Sequence, residues 1–525
     1  MDFWFQLQFQ LPSISFIVSF LLLFVFLLAK TLNKTRLTKI KSSLPPLPPG
    51  PPPLPLIGNM HQIGGALPHH KFRSLAGKYG PLMYLKLGQV PTVVVSSAET
   101  AREVLNNHGV VFAQRPYLLT SRILSYDSTN IVFAPYGDYW RQMRKICTVE
   151  VLSQNRVQTF RSIREEEVMN MIRWASSGEK SSAAINLSEK IFSLTYGIVA
   201  RVTFGKKCEG QEEFIAILAE AVRLAAGFTI VDMYPSVTLL QQFSGMRRKL
   251  EMLHQRLDHL LDNILKEHRA HKRTRDDGKR EVAEDLVNVL LRIQKNDDLE
   301  FPLTDNNIKA VILDVFGAGS ETSSTAVEWA MSEMLRNPRI MERAQEEVRA
   351  AFGEEGNVSE RRIHELKYLN AVIKETLRLH PPAPLLVPRE CSEECVIDGY
   401  RIPAKAKVIV NGWAIARDSR HWTDPEKFEP ERFLDSEIDF KGRDFEYIPF
   451  GAGRRICPGI AFAIPSIELP LAQLLFHFNW ELGGGLKPDE LDMEETMGLT
   501  VRRKNDLYLI PVPYKGKKNE SSKAI

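Results

Sequence analysis

The stretch FGAGRRICPG, Phe450 to Gly459, places one of only five cysteines in 525 residues among three glycines and two arginines. A free cysteine is ordinarily a small buried hydrophobe. Nearby guanidiniums, and glycines that let backbone N–H groups come close, instead favour the thiolate, the form that binds metals. Taken alone, the ten residues leave both readings open.

The other cysteines are Cys147, Cys208, Cys391 and Cys395. An odd total at wide spacing makes no disulfide framework and points to a reducing compartment. Cys391 and Cys395, four apart, fit neither CxxC chemistry nor a zinc knuckle and read as structural or incidental. At 59.7 kDa the chain exceeds the size at which single cores stop growing, which suits one oversized domain with a smaller lobe. A composition of 44% hydrophobic and 25% charged residues excludes a disordered or fibrous class. The net charge of +4 arises at the N-terminus, where Lys30, Lys34, Arg36, Lys39 and Lys41 face only Asp2. The remainder is balanced, so nothing points to nucleic acid.

No charge interrupts Phe3 to Ala29, and Leu11 to Ala29 is 19 residues, about the ~20 needed to cross a bilayer as a helix. A cleaved signal peptide would have a basic start and a shorter apolar core. Here the basic cluster follows the apolar run, which predicts an uncleaved anchor over residues 1–30 with the following domain on the cytosolic side. Residues 31–58 read as a basic stop-transfer segment and a proline-rich hinge, with Pro45, Pro46, Pro48, Pro49, Pro51, Pro52, Pro53 and Pro55 stiffening it. The catalytic domain is expected over 59–515 and a tail over 516–525.

Two β-rich runs, PLMYLKLG and PTVVVSS, break at Gly88. Helical patterns follow at 137–152, 156–176, 211–226, 247–272 and 282–295, and the charge-dense HKRTRDDGKR (271–280) reads as an exposed loop. A long helix is expected from about Asp305 to Arg336, with further helices near 338–352 and 360–380. Short strands are expected over 395–412 and at 507–513. Neither GAG, at Gly317 or Gly451, completes a dinucleotide fingerprint. The class is mainly α with a minor β region.

Within the long helix, Gly317 and Gly319 each cost ~1 kcal/mol relative to alanine, which asks for a reason. One is close approach of a flat ligand, the other a helix crossing made with small residues. Ala318, Gly319 and Thr322 share a face, and Glu321 adds an acid suited to relaying protons. In KETLRLHPP, Glu375 and Arg378 stand i, i+3, and Arg432 of PERF would complete a buried network. In WRQMRK, either Trp140 is core and Arg144 snorkels, or the two clamp a buried anion together with Arg389 and Arg455.

Five of these motifs, in order and over nearly the whole chain, resemble the cytochromes P450. Phe450, Gly453, Arg455, Cys457 and Gly459 match F-x-x-G-x-R-x-C-x-G, and AGSETS (Ala318 to Ser323) matches the oxygen-activation motif. Glu375 and Arg378 match E-x-x-R, PERF matches itself, and Trp140 and Arg144 match W-x-x-x-R. The anchor and PPGP resemble the microsomal type, and PYGDYWRQMRKIC and LPLAQLLFHF resemble plant family-71 enzymes of the terpenoid-hydroxylase branch.

The resemblance implies the cytochrome P450 fold, a membrane-anchored monooxygenase and bound haem b. Cys457 would be the axial ligand of the iron. Arg455, Trp140, Arg144 and Arg389 would hold the propionates. Phe450, Gly453 and Gly459 would complete the cradle, with glycine N–H groups directed at the sulfur. Thr322 and Glu321 would supply protons, while Glu375, Arg378 and Arg432 would be structural. Pro465 and Pro470, in the helix after the ligand, are each expected to kink it. Arg454 has no assigned role.

Candidate substrate walls are Leu119, Ile123 and Leu124, the stretch Leu224 to Met233, Val315 and Ala318, the run Ala383 to Val387 with Leu386, and Met497 to Leu499. The expected substrate is a hydrophobic terpenoid, diterpenoids before smaller skeletons, with alkaloid and flavonoid scaffolds left open. Electrons would come from NADPH through a membrane-bound NADPH–cytochrome P450 reductase docking near Arg141 and Lys145, on the endoplasmic reticulum membrane facing the cytosol. The competing classes are a reductase-independent haem isomerase or dehydratase and a non-catalytic apolar-ligand carrier.

Overall fold

The computed structural model describes residues 44–65, 67–178, 184–206, 211–224, 228–272, 284–295, 299–496 and 498–515. The expected anchor (1–30), the tail (516–525), Met497 and most of the 271–280 loop lie outside them. The helices that position the site are α1 (Pro68–Tyr79), α2 (Leu119–Leu124), α3 (Asp138–Ile146), α4 (Arg161–Gly178), α5 (Leu187–Phe204), α6 (Met246–Lys272), α7 (Asp305–Arg336), α8 (Lys367–Leu379) and α9 (Ile460–His477).

Helix α7 is the axis. Thr304 and Asn307 close a capping box at its start, each side chain bonding the other's backbone N–H, and Pro338 follows its end. It is buried along most of its length, yet Ala318 at its centre is exposed. A side chain open in the middle of a core helix faces a hollow. Along the same helix packs α5, for which the sequence pattern predicts no element. Phe204 stacks on Phe316 at 5.5 Å and Tyr196 lies 5.9 Å from the same ring. Helix α5 is buried along most of its second half, where apolar β-branched and aromatic residues leave no clear helical stripe. Its ends are nevertheless marked: Asn186 accepts from Glu189 N at 3.0 Å, and Gly205 ends it at φ +72°.

The strands make a minor region, as expected. A mixed sheet runs β1 (Leu82–Leu87), β2 (Val90–Val95), β7 (Lys407–Val410), β4 (Arg389–Glu390), with β2 and β7 parallel. Gly88 turns the first hairpin at φ +61°. A second sheet orders β3 (Ile185–Asn186), β9 (Tyr508–Pro513) and β8 (Phe478–Leu482), and β5 (Cys395–Ile397) pairs with β6 (Tyr400–Ile402). Pairing Arg389 with Val408 on β7 carries this side chain to the edge of the hollow.

Helix α9 spans 18 residues as one helix with both Pro465 and Pro470 inside it, the two positions at which the sequence reading expects kinks. It packs against α4, α7 and Pro338–Phe352, and this surrounding core holds the helical path where two backbone donors are missing. Its apolarity is that of a core helix, with over half of it buried.

Two polar anchors fix the elements around the hollow. Glu375 and Arg378 of α8 are fully buried; Arg378 Nε and Nη2 donate to the carboxylate at 2.7 and 2.9 Å, and Arg432 Nε joins at 3.0 Å. Arg378 also donates to the carbonyls of Ala416, Pro425 and Lys427, binding α8 to the segment before PERF. The second anchor is Asp314 of α7. Its carboxylate accepts from Asn130 Nδ2 (2.5 Å), Ile131 N (2.7 Å) and Val132 N (3.2 Å), pinning that loop across the hollow. Burial pushes this carboxyl up to about 7 despite the three donors.

Glu375→Ala should lower the stability of the protein by about 3–5 kcal/mol in denaturant unfolding, because it strands two buried guanidiniums. A loss below about 1 kcal/mol would show that water compensates them. Asp314 generates a pH prediction. The folded carboxyl keeps its proton up to about pH 7, whereas the unfolded one releases it near about 4. Stability attributable to this group therefore falls as pH rises through that window. Asp314→Asn should flatten the unfolding free energy against pH from about 4 to about 7 relative to wild type, and parallel profiles would exclude the shift.

Candidate active site

The hollow lies between α7 and the Pro449–Gly459 loop, with a cavity volume of about 260 Å³. Val315, Ala318, Gly319 and Thr322 form one wall, while Phe450, Gly451, Cys457, Gly459 and Phe462 form the other.

The loop is shaped by its own backbone. Cys457 N donates to Phe450 O at 3.0 Å and Ile456 N to Gly453 O at 3.1 Å. Gly459 N donates to Cys457 Sγ at 3.3 Å, and α9 starts at the next residue, so the positive end of a long helix faces the sulfur. Burial alone pushes this thiol up. The Gly459 N–H and the charge of Arg144 work against that rise. Gly453 stands elsewhere than expected: it does not line the hollow. It holds φ +66°, and a Cβ there would sit 1.9 Å from Leu105 O, so it lets the loop pack on the Glu103–Asn107 turn.

Four arginines line the same hollow: Arg115, Arg144, Arg389 and Arg455. Each is held by carbonyls. Arg455 donates to Ala113 (3.0 Å), Ile131 (3.2 Å) and Ala134 (2.6 Å), Arg389 to Ala452 (3.1 Å), Arg144 to Ile456 (2.6 Å), and Arg115 to Val132 (2.8 Å), Val387 and Pro388 (both 2.7 Å). Among the described residues none of the four pairs with a carboxylate. Burial lowers all of them, and mutual repulsion adds to it at Arg455 and Arg115; Arg455 falls to about 9 and Arg389 to about 10. Trp140 does not reach the hollow. Its indole N–H donates to Ile131 O and its ring lies under the Arg455 guanidinium at 4.2 Å. Arg454 is exposed and donates to Tyr136 Oη at 3.2 Å.

These residues fit iron protoporphyrin: a sulfur for the metal, unneutralised guanidiniums for two propionates, and apolar walls for the macrocycle. Cys457, Arg115, Arg144, Arg389 and Arg455 would hold it.

On the opposite wall Thr322 Oγ1 donates to Ala318 O at 2.5 Å. Glu321 does not line the hollow. Its Oε1 accepts from Thr500 at 2.5 Å, and its buried Oε2 has no partner; burial raises this carboxyl. Of the expected substrate walls, Val315, Ala318, Ala383, Leu386 and Val387 line the hollow, whereas Leu119 and Ile123 do not. Helix α2 is instead core, its Leu119 N held by Asp232. Leu499 borders a neighbouring apolar pocket with Phe228 and Leu386.

Arg115, Asp314, Gly451 and Thr500 have no place in the sequence reading. The signal for Arg115 is a lone base in the apolar run VVFAQRPYLL, and for Asp314 a lone acid in AVILDVFGAG. Thr500 carries none.

The comparisons with known proteins agree with this geometry. The cytochrome P450 family profile matches residues 48–510. Tabersonine 16-hydroxylase 1 of Catharanthus roseus is 54% identical over 497 residues, covering 94% of this chain and 97% of the relative. Cytochrome P450 71D10 of Glycine max is 53% identical, covering 95% and 97%. Salviol synthase of Salvia pomifera is 49% identical, covering 96% and 98%. A zebra fish cytochrome P450 structure with progesterone superposes with a TM-score of 0.72 at 26% identity, covering 86% of this chain and all of that one. A cysteine at a helix start, facing a hollow ringed by unpaired arginines, thus occurs here within a chain that belongs to the cytochrome P450 family and is a plant family-71-type monooxygenase.

Proposed function

We propose that the chain oxidises a neutral, apolar polycyclic plant metabolite of the terpenoid class, anchored by residues 1–30 to the endoplasmic reticulum membrane with residues 59–515 in the cytosol. The observation carrying the substrate class is the chemistry of the wall. Asp314, the one carboxyl among the described residues lining the hollow, has its oxygens taken up by Asn130, Ile131 and Val132. No carboxylate is left for a substrate ammonium, which favours a neutral skeleton. An alkaloid is the second reading, favoured by relatives that include alkaloid hydroxylases.

Bound haem supplies activation of dioxygen, with two electrons and two protons accompanying insertion of one oxygen atom and release of water. Cys457 would hold the iron from the α9 side, its charge stabilised by Gly459 N–H and the helix terminus. The guanidiniums would orient the macrocycle by its carboxylates. Val315, Ala318, Ala383 and Leu386 would exclude water and fix which carbon is presented. Thr322 and Ser323 are the hydroxyl residues lining the hollow, and Glu321 Oε2 is an unpartnered acid beside Thr322 in sequence, so in this reading protons pass from Glu321 through Thr322 with water between them. NADPH would supply electrons through a partner reductase. Arg141 and Lys145 lie on the exposed face of α3, whose Arg144 reaches the hollow, and Arg141 is already paired with Asp138.

Membranes carrying the protein, reductase and NADPH, given a panel of terpenoid and alkaloid skeletons under labelled dioxygen, should yield a terpenoid product with one labelled oxygen atom; turnover of alkaloids alone would replace the terpenoid reading. Thr322→Ala should lower product per NADPH consumed roughly 10²-fold or more, with peroxide rising instead. Unchanged coupling would remove Thr322 from proton delivery. Lys145→Glu should slow reductase-supported turnover and weaken its dependence on ionic strength, leaving peroxide-supported turnover intact. An unaltered salt dependence would move the docking face elsewhere.

A further inference from the structure

Away from the hollow, three distant segments meet at one carboxylate. His69 and His70, in the first turn of α1, both bring Nε2 to Glu495 Oε2, at 2.9 and 3.3 Å. The His69 side chain is 1% exposed, Glu495 10%, and His70 about half. On the far side of the carboxylate lies His380, which follows α8. Its Nε2 meets Glu333 Oε1 at 2.6 Å. Its Nδ1, on a side chain nine-tenths buried, has no hydrogen-bond partner and points toward Glu495 Oε1 at 4.0 Å.

We propose that His69, His70 and Glu495 form a binding site for a divalent cation of the zinc class. Two imidazoles and a carboxylate are a donor set that zinc takes, and their ligand atoms lie within 4.8 Å of one another. With bonds of about 2.0–2.2 Å in tetrahedral geometry, ligand atoms stand roughly 3.3–3.5 Å apart, so small adjustments accommodate the ion. Calcium and magnesium prefer all-oxygen sets, which this is not. The half-exposed His70 gives an approach from solvent and leaves the fourth position to water.

Behind the carboxylate, His380 Nδ1 stands 4.0 Å from Glu495 Oε1, beyond hydrogen-bonding distance. Trp413 holds both imidazoles, stacked on His70 at 4.3 Å and edge-on to His69 at 5.0 Å. The two guanidiniums over Trp413 do not preclude a cation, since Arg73 and Arg417 both pair with Glu426, at 2.6 and 3.1 Å.

The site bears on function by position. His69 borders the apolar pocket that Leu499 and Phe228 line, and Leu386 is shared between that pocket and the large hollow. A bound ion would tie α1 to the segment around Glu495, beside the wall of the substrate space.

Full-length, haem-loaded protein freed of metal with a chelator is to be titrated with Zn²⁺ alone, read by calorimetry and by thermal unfolding. One tight equivalent per chain that raises Tm is expected, with X-ray absorption at the zinc edge reporting two imidazoles and one carboxylate. His70→Ala should weaken that equivalent by about 10–100-fold or more while the thiolate-haem spectrum stays unchanged. Should His70→Ala lose its haem, His70→Gln and the wild-type absorption spectrum carry the test. The absence of a tight equivalent, a zinc environment without two imidazoles, or equal affinity in the folded variant overturns the proposal and leaves the cluster a hydrogen-bonded latch.

Discussion

Four guanidiniums share one apolar hollow without a carboxylate to neutralise them, and much of the structure is arranged to tolerate this. Arg115, Arg144, Arg389 and Arg455 each reach the hollow from a different element and each is braced by backbone carbonyls. Carbonyl dipoles offset part of the desolvation cost, but burial, with repulsion from Arg389 and Arg144 adding to it, takes Arg455 down to about 9. A dianionic ligand would offset half of that fourfold positive charge. Folding and ligand binding are thereby coupled, since a group that binds only the folded chain adds its binding free energy to stability.

The sulfur poses the opposite problem on the same wall. Cys457 sits where burial favours the neutral thiol, and the chain answers with one N–H from Gly459, the terminus of α9 and the charge of Arg144. A bound metal ion would add to these. The loop keeps its shape because Gly453 nests against Leu105, and the network of Glu375, Arg378 and Arg432 fixes α8 and PERF. None of these residues touches the hollow, yet they position what does.

What was legible in the sequence follows from how each feature is encoded. The bounds of α7 are marked by Thr304 and Pro338, local signals that need no tertiary context. Helix α5 escaped because burial over most of its length blurs the amphipathic stripe, although Asn186 and Gly205 punctuate it. Motif residues gave identity but not direction. Successive residues on a helix point about 100° apart, and here Thr322 lines the hollow while Glu321 does not. The acid turns to Thr500, 179 positions away, which no local pattern announces. Leu119 and Ile123 failed for another reason: an apolar residue in a core and one on a pocket wall look alike in sequence.

The same distinction explains why the reaction class is readable and the substrate is not. The chemistry depends on polar groups whose alternatives are few: a sulfur, a hydroxyl, guanidiniums, a buried ion network. Specificity depends on apolar surfaces whose alternatives are many, and whose shape is set by how loops are pinned. Asp314 joins the two. It lies on α7 one turn before Ala318, lines the hollow, and holds Ile131 and Val132 by their N–H groups, while the Ile131 carbonyl accepts from both Trp140 and Arg455. The loop that borders the substrate space is therefore bonded on one side to the oxygen-side helix and on the other to an arginine of the haem cradle. A shift in that loop moves both, so substrate shape and cofactor placement are not independent variables in this fold.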